Sequence, residues 1–308
     1  MSVWLLDGSE RGAALLLVLG AVAILSLAVA AMVGLVVWEQ EEAIRQGSFL
    51  QARACAEAGI AVGMHPGVTE KWDPVLRQQF DDGSSFEVDL GADNGRLAIN
   101  ALLLQGQEVV LERLFRSWGL KDQDARRLID HLADWVDGDG MRRLNGGERE
   151  AYEARGFRNM PLNRPFTHLQ EMSWVIGMEE LERLCPDWRE FFTVWGDGKL
   201  NPNEAPFELL QAVLDLPDRD RARLEAFRDG PDEVRNTEDD GRFGNLDELR
   251  LFFAIPPGTF AALEPWLTLE PNLRRVISRG VSGRAECRIT VVGNPETGPS
   301  GWRLWEER

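Results

Sequence analysis

Histidine and cysteine are scarce in this chain, with three of each among 308 residues. The histidines stand alone, and no HExxH, Gly-x-Ser-x-Gly or phosphate-cradling glycine loop occurs. Acidic residues number 51, so no pair of catalytic carboxylates can be singled out by pattern. The sequence therefore predicts a protein that is not an enzyme. The isolated histidines are His65, His131 and His168.

The three cysteines, Cys55, Cys185 and Cys287, lie far apart in the sequence and lack the spacing of a metal site. In an oxidising compartment one disulfide could form, and Cys185–Cys287 is the favoured pair. Three unpaired and mostly buried thiols are an equally good interpretation.

Positive charge is also in short supply, since 34 Lys and Arg residues face 51 acidic ones and the formal net charge is −17. Because binding to phosphates depends on Lys and Arg, this balance argues against a nucleic-acid partner. Hydrophobic residues make up 44% of the chain, which is enough for a core and excludes global disorder.

One long apolar segment stands near the N-terminus. The chain carries no charged residue from Ala13 to Trp38, which exceeds the roughly 20 residues that a bilayer needs. The run is also longer than the apolar core of a cleaved signal peptide, about 7–15 residues. Arg11 is the only basic residue before it, and Glu39 follows it. The sequence predicts a single membrane span with a cytoplasmic N-terminus and the body outside.

The border Arg11-Gly12 before Ala13 resembles the prepilin-peptidase site of type IV pilins and pseudopilins. The resemblance implies that Gly12 ends a leader and that Ala13 starts the mature chain and is N-methylated. Most pilin-like subunits have glutamate at the fifth mature position, where this chain has Leu17. In the family, that glutamate pairs with the amine of a neighbouring subunit. Its absence marks the K subunit, which is thought to occupy the filament tip.

Beyond the span, small and apolar residues at helical spacing predict a stalk helix that ends in the stretch 63–67. Strand patterns follow at 85–90 and 96–100, and again at 286–292 and 302–305. The long segment between these two β portions has a helical pattern. We therefore expect one sheet built from both ends of the chain and interrupted by a helical insertion.

The insertion contains an internal repeat, since 169–188 and 246–266 each read as helix, tight hairpin and helix followed by Pro and Trp. Helix-hairpin-helix units also occur in DNA-binding proteins, where the hairpin faces a phosphate. Here acidic residues such as Glu179 and Asp218 stand where the phosphate would dock. The pattern favours a packing role. The tryptophans, mostly at helix ends and faces, are interpreted as core or subunit interface.

These features, with Asp134–Asp139 and Asn163-Arg164-Pro165, resemble the general secretion pathway protein K family of type II secretion minor pseudopilins over most of the chain. The resemblance implies an α+β fold: a pilin-like N-terminal membrane helix plus a small antiparallel sheet, with a large all-α (SAM-like or helix-hairpin-helix-like) insertion. The expected parts are a leader at 1–12, a membrane and stalk helix at 13–64, a first β region at 65–100, the insertion at 101–272 and a closing β region at 273–308.

The same resemblance implies a place at the tip of a periplasmic pseudopilus, where the protein helps initiate assembly and protein export across the outer membrane. The implied partners are the I- and J-type minor pseudopilins, the major pseudopilin, the inner-membrane secretion platform and the prepilin peptidase. The implied location is the inner membrane. The alternative from the residues is a single-pass, calcium-stabilised periplasmic adaptor that never enters a filament.

The acidic loop that follows the pair Asp134-Trp135 is the candidate metal site. Asp137 and Asp139 stand two residues apart, and Glu148 falls at position twelve counted from Asp137, as in an EF-hand loop. Met141 and Arg142 occupy positions five and six, so the loop is not an EF-hand. A solvated turn is an equally good interpretation from the residues alone. The family resemblance favours structural calcium held by Asp137, Asp139 and Glu148.

Overall fold

The computed structural model describes the backbone of residues 8–308 and the side chains of residues 15–308. In chain order the strands are β1 Arg77–Gln79, β2 Ser85–Ala92, β3 Leu97–Ala98, β4 Phe192–Thr193, β5 Arg274–Ser282, β6 Ala285–Gly293 and β7 Trp302–Glu307. The α-helices are α1 Gly8–Gly63, α2 Ile99–Leu104, α3 Glu108–Ser117, α4 Asp122–Val136, α5 Arg149–Glu153, α6 Met178–Leu184, α7 Phe207–Leu214, α8 Asp220–Arg228, α9 Leu246–Phe252 and α10 Pro257–Leu263.

Helix α1 serves two environments along its length. Its apolar side chains from Leu15 to Trp38 are exposed, and this part is long and apolar enough to cross a membrane. Further along the helix, small residues and Ile60 form a buried face. The helix ends at Gly63, as the glycine and proline signals predict. The candidate membrane span and the stalk are therefore one continuous helix.

The stalk packs on a five-stranded antiparallel sheet with strand order β1-β2-β5-β6-β7. Both ends of the chain contribute strands, because β2 pairs with β5 along its whole length. The small residues of the stalk bring helix and sheet close together. A Cβ atom added to Gly280 would lie 2.0 Å from the carbonyl oxygen of Ala52. The core between them is formed by alternate residues of the strands, among them Val88, Val276 and Ile289.

The helical insertion leaves and re-enters the sheet at the end farthest from the membrane span. Arg274, at the start of β5, donates hydrogen bonds to the carbonyl oxygens of Gly63 and His65, at 3.1 and 2.9 Å. The opposite end of the same strand turns at Gly283, which lies near Ser48 on the lower stalk. Because Ala92 pairs with Arg274, the chain departs into the insertion beside the top of the stalk.

The insertion has a core of its own. Trp135, Trp188 and Phe115 are fully buried there, which confirms the packing role predicted for two of the tryptophans. The repeat at 169–188 forms a 3-10 helix, a left-handed Gly177 with a φ of 99°, and α6; the repeat at 246–266 forms α9 and α10. The α+β fold class is confirmed.

Two details differ from the sequence prediction. The segment 96–100 does not add a strand to the main sheet: Leu97 and Ala98 pair in parallel with Phe192 and Thr193. Leu97 is buried in the core of the insertion, and that burial determines its partner strand.

The favoured disulfide Cys185–Cys287 is also wrong. All three cysteines are free; Cys55 and Cys287 lie in the core under the stalk, whereas Cys185 packs against the core of the insertion. Since the two sulfurs belong to different cores, no bridge can join them without moving the backbone.

Candidate functional site: the acidic loop and the stalk

The acidic loop is held in place by the helix that precedes it. Asp137 caps the C-terminus of α4, and the chain then folds back along the last turns of that helix. The backbone N–H of Arg143 donates to both carboxylate oxygens of Asp134 at 3.2 Å. Asn145 donates to Asp130 through its backbone and its side chain, at 3.1 and 2.8 Å. Two carboxylates of α4 therefore determine the path of the loop.

Asp134 is fully buried, and glycine is needed where the loop passes over it. A Cβ atom at Gly146 would lie 2.0 Å from Oδ2 of Asp134. Burial raises the pKa of Asp134, and the nearby Asp137 raises it further. A salt bridge from Arg143 to Glu108 at the start of α3 also holds the loop in place. Hydrogen bonds to two carboxylates and one salt bridge therefore hold this part of the loop.

Three buried side-chain oxygens at this site have no hydrogen-bond partner among the described residues. They are Oδ1 of Asp137, Oε1 of Glu148 and Oδ1 of Asn163. Asn163 adopts a left-handed backbone with a φ of 46°, and its amide nitrogen donates to the carbonyl oxygen of Asp139 at 2.8 Å. That hydrogen bond uses the amide nitrogen of Asn163 and leaves its amide oxygen available to another partner. Buried oxygens without a donor are costly, so such a set calls for a cation or ordered water.

The electrostatics of these groups favour a positive charge placed among them. Burial raises the pKa of Asp137, and Asp139 adds to this effect. Burial likewise raises the pKa of Glu148, and the charges of Asp134, Asp137 and Asp139 raise it further. Each carboxylate thus makes its neighbours harder to ionise, and a divalent cation among them would remove that repulsion.

The predicted ligands are only partly brought together. Among the described side chains, no three His, Cys, Asp or Glu residues are grouped closely enough to hold a metal by themselves. Oδ1 of Asp139 accepts a hydrogen bond from the backbone of Met141 at 2.8 Å. The sequence prediction missed Asn163, although Asn163-Arg164-Pro165 was noted as a family feature. Oxygens from carboxylates, amides and carbonyls are the donors that calcium prefers, so the set as a whole fits that ion.

The other predicted site lies on α1. Gly12 and Ala13 fall within the helix, and the surroundings of their side chains lie outside the described residues. Leu17 is described and exposed, as are the apolar residues around it. The position that would carry a glutamate in most pilin-like subunits therefore presents an apolar side chain where lipid would be.

An apolar N-terminal helix that continues along one face of an antiparallel sheet defines the class of pilin-type subunits. Comparisons with known proteins agree on one branch of this class. Residues 95–186 match the family described as type II secretion system (T2SS), protein K. The chain is 26% identical over 260 residues to the type II secretion system protein K of Pseudomonas aeruginosa PAO1, covering 76% of this chain and 74% of that protein.

A solved structure has the same fold. A chain of the crystal structure of the GspK-GspI-GspJ complex from the enterotoxigenic Escherichia coli type 2 secretion system superposes with a TM-score of 0.59. The match covers 87% of this chain and 95% of that chain at 17% identity. The family model, the curated relative and the solved structure together support a K-type minor pseudopilin of the type II secretion system, as the sequence predicts.

Proposed function

We propose that this minor pseudopilin occupies the tip of a periplasmic pseudopilus and helps initiate its assembly, and thereby protein export across the outer membrane. One observation carries the proposal: the insertion stands on the sheet at the end farthest from the membrane span, beside Gly63. A subunit stacked above would need that space. Leu17 supports the same position, because a subunit with no neighbour on that side has no partner for a membrane carboxylate.

The partners are the I- and J-type minor pseudopilins, with the major pseudopilin below and the inner-membrane secretion platform at the base. The related crystal structure is a complex of the K, I and J subunits. On the lower stalk of this chain, Ile44, Phe49 and Leu50 are exposed beyond the membrane-length run. Apolar side chains on a helix that has left the bilayer are suited to packing against the stalks of neighbouring subunits.

The prepilin peptidase cuts between Gly12 and Ala13, and Ala13 is then methylated. The subunit sits in the inner membrane with its N-terminus in the cytoplasm and its body in the periplasm. Arg11 before the span and Glu39, Glu41 and Glu42 after it support this orientation.

A calcium ion stabilises the acidic loop. Asp137, Glu148 and Asn163 would hold it through the oxygens that lack partners, with Asp139 beside them. The ion would supply charge neutralisation and folding energy and no catalysis. The protein carries out no reaction and binds no nucleic acid, because the hairpins of the insertion present Glu179 and Asp218 where a phosphate would dock.

Mass spectrometry of the N-terminus tests the proposal. When the full chain is co-expressed with a prepilin peptidase, we expect the loss of residues 1–12 and the addition of one methyl group to Ala13. A Gly12→Val variant should keep its leader, and a matched Gly8→Ala variant should be cut normally. An intact wild-type leader in the presence of an active peptidase would favour a single-pass adaptor that enters no filament.

A further inference from the structure

A basic groove runs between the last strand of the sheet and the insertion. We define it by Arg189, Arg275, Arg303 and Arg308, with Glu190 and Glu306 as its acidic members; its volume is about 350 Å³. The whole chain carries a net charge of −17, yet four arginines and only two glutamates line this groove. Two of these arginines have carboxylate partners outside the groove lining: Arg189 lies 3.3 Å from Glu182, and Arg275 lies 3.6 Å from Asp93. A local excess of positive charge on such an acidic chain indicates a ligand of negative charge.

Both glutamates of the basic groove already have partners. Glu306 accepts hydrogen bonds from Arg308 at 2.8 and 3.0 Å, and Glu190 lies 3.5 Å from Arg96. Arg303 is exposed and has no ion pair or side-chain hydrogen bond within the described part of the chain. The charge of Arg303 is therefore available to a ligand.

Arg275 forms the floor of the basic groove and is incompletely paired. Its nearest carboxylate, Asp93, is 3.6 Å away, and its buried Nε has no hydrogen-bond partner. Burial and then the neighbouring Arg96 lower the pKa of Arg275 to about 10, against the opposing effect of Asp93. The Nε atom of Arg189 in the wall is likewise buried without a partner. Donors for an anionic group are thus fixed in place before any ligand arrives.

The groove also has an open strand edge. β7 is the last strand of the sheet, and Arg303 to Glu306 line the groove. Arg308 and Arg288 exchange both backbone hydrogen bonds at 2.9 Å. In an antiparallel pair such residues alternate with residues whose N–H and C=O groups face away, so Trp305 and Glu307 offer their backbone groups to a further strand.

We propose that the basic groove binds an extended acidic segment of a partner protein, which adds as a strand to the free edge of β7 with its carboxylates on Arg303 and Arg275. The strand edge supplies main-chain hydrogen bonds, and the arginines select alternate acidic side chains. An anionic lipid surface or a nucleic acid would neutralise the arginines, but it would not pair with the backbone N–H and C=O groups of Trp305 and Glu307.

The test uses the full chain in a non-ionic detergent and a fluorescent hexapeptide of alternating glutamate and valine with blocked ends. Fluorescence anisotropy should show saturable binding that weakens as salt rises. We expect Arg303→Glu to weaken binding at least tenfold. The matched control Arg284→Glu makes the same charge change in the exposed β5–β6 turn and should alter affinity less than twofold. Near-UV circular dichroism confirms that both variants are folded.

Two further peptides separate the contribution of charge from that of backbone pairing. A lysine–valine peptide should not bind, and a glutamate–valine peptide methylated on its backbone nitrogens should bind at least tenfold more weakly, because it cannot pair with the strand edge. Equal losses in both arginine variants, equal binding of the methylated peptide, or no saturable binding would overturn the proposal. Arg303-dependent binding of phosphatidylglycerol vesicles without peptide binding would also overturn it in favour of a lipid.

Discussion

At the scale of single residues, the acidic loop carries the proposal of a bound calcium ion. Hydrogen bonds to Asp134 and Asp130 fix the loop, while the oxygens of Asp137, Glu148 and Asn163 remain without donors. The three oxygens are close to the surface but shielded from it. Their desolvation is a cost to the folded protein that a bound divalent cation would offset.

The first prediction concerns Glu148. Millimolar calcium should raise the thermal unfolding midpoint of the full chain in micelles, because a ligand of the native state at 100 times its dissociation constant adds about 2.7 kcal/mol. Glu148→Gln should remove at least half of that shift in differential scanning calorimetry. Glu153→Gln, an exposed position one helical turn further on, should keep it. A full calcium response in Glu148→Gln would show that the ion binds elsewhere.

The second prediction concerns His131, which is buried on α4 with an unpartnered Nδ1. Burial, with Arg155 as the next contributor, lowers its pKa from 6.5 to about 4. The neutral ring is therefore favoured in the folded state, and this contribution is present above pH 6.5 and lost as the pH falls toward 4. Between pH 7 and 5 the folded state should lose about 2 kcal/mol through this group.

Urea unfolding of the full chain in micelles at the two pH values measures that loss. His131→Gln should show a smaller pH dependence by about this amount, since it has no proton to take up. His168→Gln, at an exposed position, should behave as the wild type. If His131→Gln and the wild type lose the same free energy of unfolding, other groups account for the acid sensitivity.

At the scale of elements, the close contact between the stalk and the sheet depends on small residues, glycine and alanine. Gly280 faces Ala52 and Ala56, and Gly59 faces Ser278, so the helix lies almost against the strand backbone. This contact fixes the position of the apolar helix relative to the body that carries the insertion.

The third prediction follows from this contact. Gly280→Ala would place a Cβ atom 2.0 and 2.4 Å from backbone atoms of Ala52 and Ala56, which cannot move without shifting α1. We expect a loss of about 3 kcal/mol in the free energy of unfolding, at the upper end of the usual cost of overpacking. Gly258→Ala, where a Cβ meets nothing within 4 Å, is the control and should change stability by less than about 1 kcal/mol. Equal stability of Gly280→Ala and the wild type would contradict this packing.

The elements that could be predicted are those with a strong local pattern. The charge-free run at 13–38 requires a long apolar helix, and the alternation at 85–90 requires a half-buried strand; both occur. Leu97–Ala98 is as apolar as a sheet strand, and nothing local shows that its partner is Phe192–Thr193. The pairing is decided by burial in the core of the insertion, which only the assembled fold contains.

The candidate site was predictable to a similar degree. Asp137 and Glu148 follow from an acidic loop after a helix, and their unpartnered oxygens are consistent with that prediction. Asn163 could not be found by spacing, because it enters the site from a distant turn with a left-handed backbone. Ligand sets assembled from separate segments leave no fixed interval in the sequence.

At the scale of the whole molecule, the position of the insertion supports the proposed place at the filament tip. It joins the sheet beside the top of the stalk and is anchored there by Lys71 and Glu204, whose charged groups lie 2.7 Å apart in a half-buried pair. Its core is separate from that of the pilin part. The subunit therefore presents a pilin-like stalk below and a bulky helical domain above, which is a shape suited to the end of a filament.

The most direct test of the tip position is immunogold electron microscopy of isolated pseudopili with an antibody raised against the insertion. We expect gold at one end only and at most one site per filament, while an antibody against the major pseudopilin labels the full length as a control. Label distributed along the filament, with the control antibody working, would contradict a tip position for this protein.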